Sequence, residues 1–109
     1  MTAAAIAILE RLVAFDTISA KSNLELVGWI ADYLDGHGIK SVLTRNPEGT
    51  KANLFATIGP GERGGVILSG HTDVVPVEGQ AWSSDPFRLE TRPVDQGSDR
   101  LYGLSLIHI

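Results

Sequence analysis

The apolar positions at the start of the chain repeat with helical spacing. Ile6, Leu9 and Val13 lie three and four residues apart, which places them on one face of an amphipathic helix. Thr2 precedes this segment as a candidate N-cap. The pattern therefore predicts a helix from about Ala3 to Phe15 that packs one face on a sheet.

A second helix is predicted from residue 22 to about residue 34. It opens with Ser-Asn-Leu-Glu, a candidate capping box, and Gly36 and Gly38 supply its end. Its apolar stripe consists of Leu26, Trp29, Ile30, Tyr33 and Leu34. This spacing favours core packing of the two aromatic rings over a ligand-stacking role. His37 lies where a cation complements the helix C-terminus, so capping or solvation is favoured there over metal binding.

The middle of the chain contains short strand-like segments separated by turn residues. Segments 39–45 and 52–58 flank Asn-Pro-Glu-Gly and predict a hairpin. Val66, Ile67 and Leu68 stand between glycines and predict a short strand buried on both faces. Further strands are predicted from Arg88 to Thr91 and from Arg100 to Tyr102. The order of elements indicates an α/β fold with a mixed sheet flanked by helices.

Composition narrows the functional class. The chain has 109 residues, 43% of them apolar, and a formal net charge of -4, as expected for one modest globular core. No basic run tracks a phosphate backbone, so nucleic acid is not expected as a partner. No segment approaches the ~20 apolar residues needed to span a bilayer, and no basic leader precedes the apolar N-terminus. We therefore expect a cytoplasmic protein without a membrane partner.

Candidate metal chemistry follows the segment Val66, Ile67 and Leu68. Because the chain has no cysteine, only His, Asp and Glu remain as protein ligands. His71 and Asp73 lie two apart, so extended backbone would place both side chains on one side. An imidazole that binds a metal usually donates its other N–H to such a carboxylate. The alternative is a satisfied histidine at a strand end beside an ordinary turn carboxylate.

The residues around His71 resemble a known family. Residues 69–76 read Ser-Gly-His-Thr-Asp-Val-Val-Pro, with Trp82 and Asp85-Pro86-Phe87 following. Together with Lys-Ala-Asn-Leu-Phe-Ala-Thr-Ile-Gly at 51–59 and Arg-Leu-Tyr-Gly at 100–103, this pattern resembles the co-catalytic zinc deacylases and peptidases. Trp-Ser-Ser-Asp-Pro-Phe is closer to the deacetylases of this family than to its desuccinylases.

The resemblance implies an N-terminal part of a zinc-peptidase-like catalytic domain. It implies an amidohydrolase that uses two zinc ions, or cobalt, to remove the acyl group from a small-molecule N-acyl amino acid, in a parent that is a homodimer in some members. His71 would be a metal ligand and Asp73 a catalytic residue that orients its ring. Trp82, Asp85 and Phe87 would brace the neighbouring loop without chemistry. Desuccinylase, carboxypeptidase and dipeptidase activities remain alternatives within the family.

The resemblance ends after Gly103. Family members continue with Arg-Gly-x-x-Asp-Met-Lys-Gly and supply their other ligands further on, whereas this chain reads Leu-Ser-Leu-Ile-His-Ile at 104–109. Those six residues match the translation of a sequencing-transposon end. We therefore expect residues 1–103 to be native, residues 104–109 to be foreign, and His108 not to be a ligand. The alternatives are a non-catalytic fragment without its own function, and an unrelated α/β binding module.

Overall fold

The computed structural model describes residues 2–95 and 97–104. Its elements are α1 (Ala3–Val13), α2 (Leu24–Gly36), β1 (Ser41–Arg45), β2 (Ala52–Ala56), β3 (Glu90–Arg92) and β4 (Arg100–Tyr102). Each corresponds to a predicted element with boundaries moved by up to two residues. The strands form two separate antiparallel pairs, β1 with β2 and β3 with β4. Two helices with two small sheets agree with a part of an α/β fold, but the predicted mixed sheet is not present among the described residues.

The chain divides into two compact units rather than the single core expected from its length. One unit contains the described residues of 1–19 and 74–109, and the other contains residues 20–73. Buried apolar side chains are few in the described residues: Val13, Leu26, Val27, Ala52 and Leu104.

The unit of residues 20–73 is a helix packed on a hairpin. Val42 pairs with Phe55 and Leu43 with Leu54 in the β1–β2 register. Leu43 and Leu54 are half-buried, whereas Val42 and Phe55 on the opposite face are exposed. Alternation of this kind shows that one face of the hairpin carries the packing.

The connection between β1 and β2 is organised by Asn46. Its side-chain oxygen accepts hydrogen bonds from the backbone N–H groups of Thr50, at 2.9 Å, and Lys51, at 2.8 Å. Gly49 takes a positive φ of 68°, a conformation that costs glycine little. The turn chemistry expected at 46–49 is confirmed, and it sets the hairpin register.

The start of α2 differs from the predicted capping box. Ser22 accepts from the N–H of Leu24 at 3.2 Å and donates to the carbonyl of Thr50 at 2.6 Å. Asn23 occupies the N-cap position but makes no capping bond with its side chain, because its amide bonds to β2 instead. Tertiary hydrogen bonds have thus replaced the local cap.

The end of α2 follows the sequence prediction. Gly38 has a φ of 73°, and its N–H bonds to the carbonyl of Asp35 while that of Ile39 bonds to Leu34. These two bonds form a Schellman motif. His37 Nδ1 lies 2.8 Å from the carbonyl oxygen of Tyr33, so of the two predicted roles, capping and solvation, the contact supports capping.

The aromatic side chains of α2 are less buried than predicted. The Tyr33 ring lies between those of Trp29, at 5.5 Å, and His37, at 4.6 Å between centroids. Tyr33 is exposed and Trp29 half-buried, while Val27, outside the predicted stripe, is buried. The packed face of α2 is therefore rotated towards Leu26 and Val27.

The other unit contains α1 and the β3–β4 pair. The Thr2 hydroxyl accepts from the N–H of Ala5 at 3.2 Å, which confirms the predicted N-cap. After α1, residue Ile18 forms an isolated parallel bridge with Val74. Thr17 accepts from the Val74 N–H and Ser19 donates to its carbonyl, each at 3.0 Å. These bonds give the loop after α1 a defined conformation.

An ion pair lies within β3, and a cation–π contact joins β3 to β4. Arg92 donates to both carboxylate oxygens of Glu90, at 3.1 and 3.2 Å, and its guanidinium lies 4.3 Å from the centre of the Tyr102 ring. The hydrogen bonds from Arg92 hold the pKa of the Glu90 carboxyl below its usual value, and those to Glu90 raise the pKa of Arg92.

The predicted buried strand at Val66–Leu68 is wrong for this chain. The segment has no regular secondary structure, and its three side chains are 88%, 81% and 93% exposed. A strand needs a ladder partner, and within the described residues no backbone hydrogen bond reaches this segment. Its apolar sequence therefore lacks the environment that would make it a strand.

The C-terminal residues are described only as far as Leu104. Leu104 is buried, and its N–H donates to the carbonyl of Pro86 at 2.8 Å. Residues 105–109, including His108, lie outside the described residues, so the expectation of a foreign tail stays a prediction. Among the described residues, neither helix has the length and apolar character needed to cross a membrane.

Candidate metal-binding site

The two predicted site residues lie within hydrogen-bonding distance of each other. His71 Nδ1 is 2.9 Å from the carbonyl oxygen of Asp73 and 3.2 Å from its Oδ1. The two residues thus meet on one side of the chain, as their spacing predicted. The side chains are 79% and 56% exposed, so the pair stands open to solvent.

This geometry determines which imidazole nitrogen has a free lone pair. A carbonyl oxygen only accepts hydrogen bonds, so Nδ1 of His71 must carry the proton that it shares with Asp73. In the neutral ring the lone pair then belongs to Nε2. A histidine whose N–H donates to a carboxylate or carbonyl while the other nitrogen stays open is the usual arrangement of a metal-ligating imidazole.

Asn23 holds the residue between His71 and Asp73. Its Nδ2 donates to Thr72 Oγ1 at 3.0 Å and to the carbonyl of Ala52 at 2.9 Å, while its Oδ1 accepts from the Ala52 N–H at 2.9 Å. One half-buried amide thus connects the start of α2, the start of β2 and the His71 loop. Sequence reasoning missed this role, since Asn23 stands 29 and 49 residues away from its two partners.

The described residues supply only part of a metal site. No group of three or more His, Asp and Glu residues able to hold an ion occurs among them, whereas zinc sites take three or four protein ligands. The donor chemistry of His71 and Asp73 fits one position of such a site. The remaining positions need ligands beyond this pair.

The residues predicted to brace the neighbouring loop make local hydrogen bonds. Asp85 Oδ1 accepts from the Phe87 N–H at 2.9 Å, and the Trp82 indole N–H donates to Gln80 Oε1 at 2.9 Å. The Gln80 amide donates in turn to the carbonyl of Pro76 at 2.7 Å. These contacts hold the loop locally, and the expectation that Trp82, Asp85 and Phe87 take no part in chemistry stays a prediction.

Comparisons with known proteins identify relatives of the chain. It is 38% identical over 106 residues to the acetylornithine deacetylase of Photorhabdus laumondii, and that match covers 91% of this chain and 26% of the relative. The enzyme of the same name from Proteus mirabilis is 37% identical with the same coverage. The acetylornithine deacetylase of Buchnera aphidicola is 32% identical, and that match covers 94% of this chain and 27% of the relative. No protein-family model and no solved structure matches the chain.

These matches show that the chain is similar to acetylornithine deacetylases along most of its own length, which confirms the family resemblance found in residues 51–103. The chain spans about a quarter of the length of these relatives.

Proposed function

We propose that the full-length protein containing this chain is a zinc-dependent amidohydrolase that converts N-acetylornithine to ornithine, a step of arginine biosynthesis. Hydrolysis adds water across the amide, breaks the C–N bond, and releases acetate and the free amine. The observation that carries the proposal is the His71–Asp73 pair within a sequence homologous to acetylornithine deacetylases.

In this proposal His71 binds one zinc ion through Nε2. Bound zinc, or cobalt in its place, supplies Lewis-acid polarisation of the acyl carbonyl and activation of water. Asp73 fixes the tautomer and orientation of the imidazole through its carbonyl oxygen and carboxylate. The general base and the other ligands belong to sequence outside this chain, and the substrate is a small molecule bound in the cytoplasm by a monomer or a homodimer.

The test uses the full-length protein and variants at His71 and Asp73. His71→Ala should lose one zinc ion per site and most turnover of N-acetylornithine. Asp73→Ala keeps the backbone carbonyl that accepts from His71 Nδ1. Loss of a residue that orients a metal ligand typically lowers metal affinity about 10 to 100-fold, and we expect the loss in Asp73→Ala to lie near the lower end of this range. Metal content by mass spectrometry and acetate release are the two measurements.

The control is His37→Ala, which removes an exposed histidine already engaged in capping α2 and should leave metal content and turnover unchanged. A His71→Ala enzyme that retains two metals and full activity would refute the ligand assignment.

A second proposal concerns the 109-residue chain alone. Because its described residues hold no cluster of three candidate ligands, we propose that it is catalytically inactive and binds zinc weakly. Isothermal titration at neutral pH tests this directly. A stoichiometric submicromolar site would show that ligands were overlooked.

A further inference from the structure

The contact between His71 and Asp73 is too exposed to fix its own geometry. Both side chains are more than half exposed, and a pair of this kind contributes little free energy in water. The segment that leads to the pair gives no support either, because residues 66–71 form no backbone–backbone hydrogen bond within the described part of the chain. The orientation of the imidazole therefore depends on an anchor elsewhere in the unit.

The side-chain amide of Asn23 provides such an anchor. The two hydrogens on its Nδ2 are donated to the Ala52 carbonyl at 2.9 Å and to Thr72 Oγ1 at 3.0 Å, and its Oδ1 accepts from the Ala52 N–H at 2.9 Å. The two bonds to Ala52 are enough to connect α2 with β2. The bond to Thr72 is additional, and it reaches the segment that carries the candidate site.

Thr72 transmits this anchor to its neighbours on both sides. It is half-buried between the exposed residues His71 and Asp73, as expected when adjacent side chains of an extended segment point to opposite sides. A hydrogen bond that holds the Thr72 side chain against the fold thus holds the backbone from which both site side chains project.

We propose that Asn23 is a positioning residue for His71, which acts through Thr72 to keep Nδ1 on Asp73 and Nε2 open. The inference rests on the proposed function, since an open Nε2 matters only if His71 binds zinc. Residues that orient a ligating imidazole typically change metal affinity about 10 to 100-fold when they are lost. Asn23 acts through one further residue, so we expect an effect of about 10-fold.

The experiment separates the two arms of the Asn23 amide in the full-length protein. Thr72→Val removes the acceptor of one Nδ2 hydrogen bond and leaves both bonds to Ala52 in place, so it should weaken zinc binding about 10-fold. Thr72→Ser keeps the hydroxyl and should retain the affinity. In the Asn23→Ala background Thr72→Val should cause no further loss, because residues that share one interaction are not additive in a double-mutant cycle. Competition with a chromophoric chelator measures each affinity.

A second readout needs no metal. Ring nitrogen-15 NMR of the zinc-free protein at mildly alkaline pH should show the Nδ1–H tautomer of His71 in the unmodified protein and a mixture of tautomers in Asn23→Ala. Asn46→Ala is the matched control, since it makes the same substitution in the same unit and removes two bonds to backbone N–H groups. It should lower stability without changing the tautomer or the zinc affinity.

The possible failures can be told apart. Unchanged zinc affinity and tautomer in Asn23→Ala, together with loss of one zinc ion in His71→Ala, would overturn the positioning role and leave the proposed function standing. Equal losses of affinity in Asn46→Ala and Asn23→Ala would also overturn it, because general destabilisation would then explain both. If His71→Ala retains both zinc ions, the proposed function fails and the positioning role fails with it.

Discussion

Replacing Asn23 by alanine tests how the His71 loop is held. In the antiparallel ladder, the Asn46 N–H bonds to the Lys51 carbonyl, so the next pair, Arg45 with Ala52, is not hydrogen-bonded. The N–H and C=O of Ala52 therefore point away from β1. The Asn23 amide satisfies both groups at 2.9 Å.

The expected cost follows from these bonds. Each neutral hydrogen bond contributes about 0.5 to 1.5 kcal/mol net, and a buried group left unsatisfied costs about 1 to 3 kcal/mol. Ala52 is only 4% exposed, although water can reach the vacated position because Asn23 itself is half-buried. We expect Asn23→Ala to lower the free energy of unfolding by about 2 to 3 kcal/mol, a large share of the stability of a small domain.

Two measurements check this expectation. Urea unfolding followed by tryptophan fluorescence should give a lower midpoint for Asn23→Ala, and the Ala52 amide should lose its protection from hydrogen exchange. Asn53→Ala is the matched control, because Asn53 lies on the exposed face of β2 and its loss should change stability by less than about 0.5 kcal/mol. Equal midpoints for the two variants, with the Ala52 amide still protected, would refute the reasoning.

Two further predictions follow from the chain's ionic and terminal features. In a carbon-13 NMR titration the Glu90 carboxyl should protonate at a pH below that of a free glutamate. The stabilisation from this depressed pKa is present above the unfolded-state pKa and is lost as pH falls through the folded-state value. Arg92→Gln should raise the Glu90 pKa, while Arg88→Gln should change it little because Arg88 contributes least to the lowering of that pKa. An unchanged pKa in Arg92→Gln would contradict the assignment. Resequencing the source locus without a transposon should give Arg-Gly after Gly103, and recovery of the present six codons with a stop codon would show a natural terminus.

Local patterns in the sequence were sufficient for most of the secondary structure. Thr2, Gly38 and Asn46 act on backbone groups within a few residues of themselves, so their roles follow from neighbouring sequence alone. The His71–Asp73 contact spans two residues and was predicted for the same reason. Homology to the acetylornithine deacetylases was also visible in residues 51–103.

Only the tertiary structure decided the remaining features. The predicted capping box at the start of α2 did not form as expected, because Asn23 takes the N-cap position and its amide bonds to β2 and Thr72. No local pattern reveals partners 29 and 49 residues away. Val66, Ile67 and Leu68 have the composition of a buried strand but remain exposed. The physical reason is that a helix satisfies its own backbone within one segment, whereas a strand exists only when another strand supplies the opposite half of each hydrogen bond.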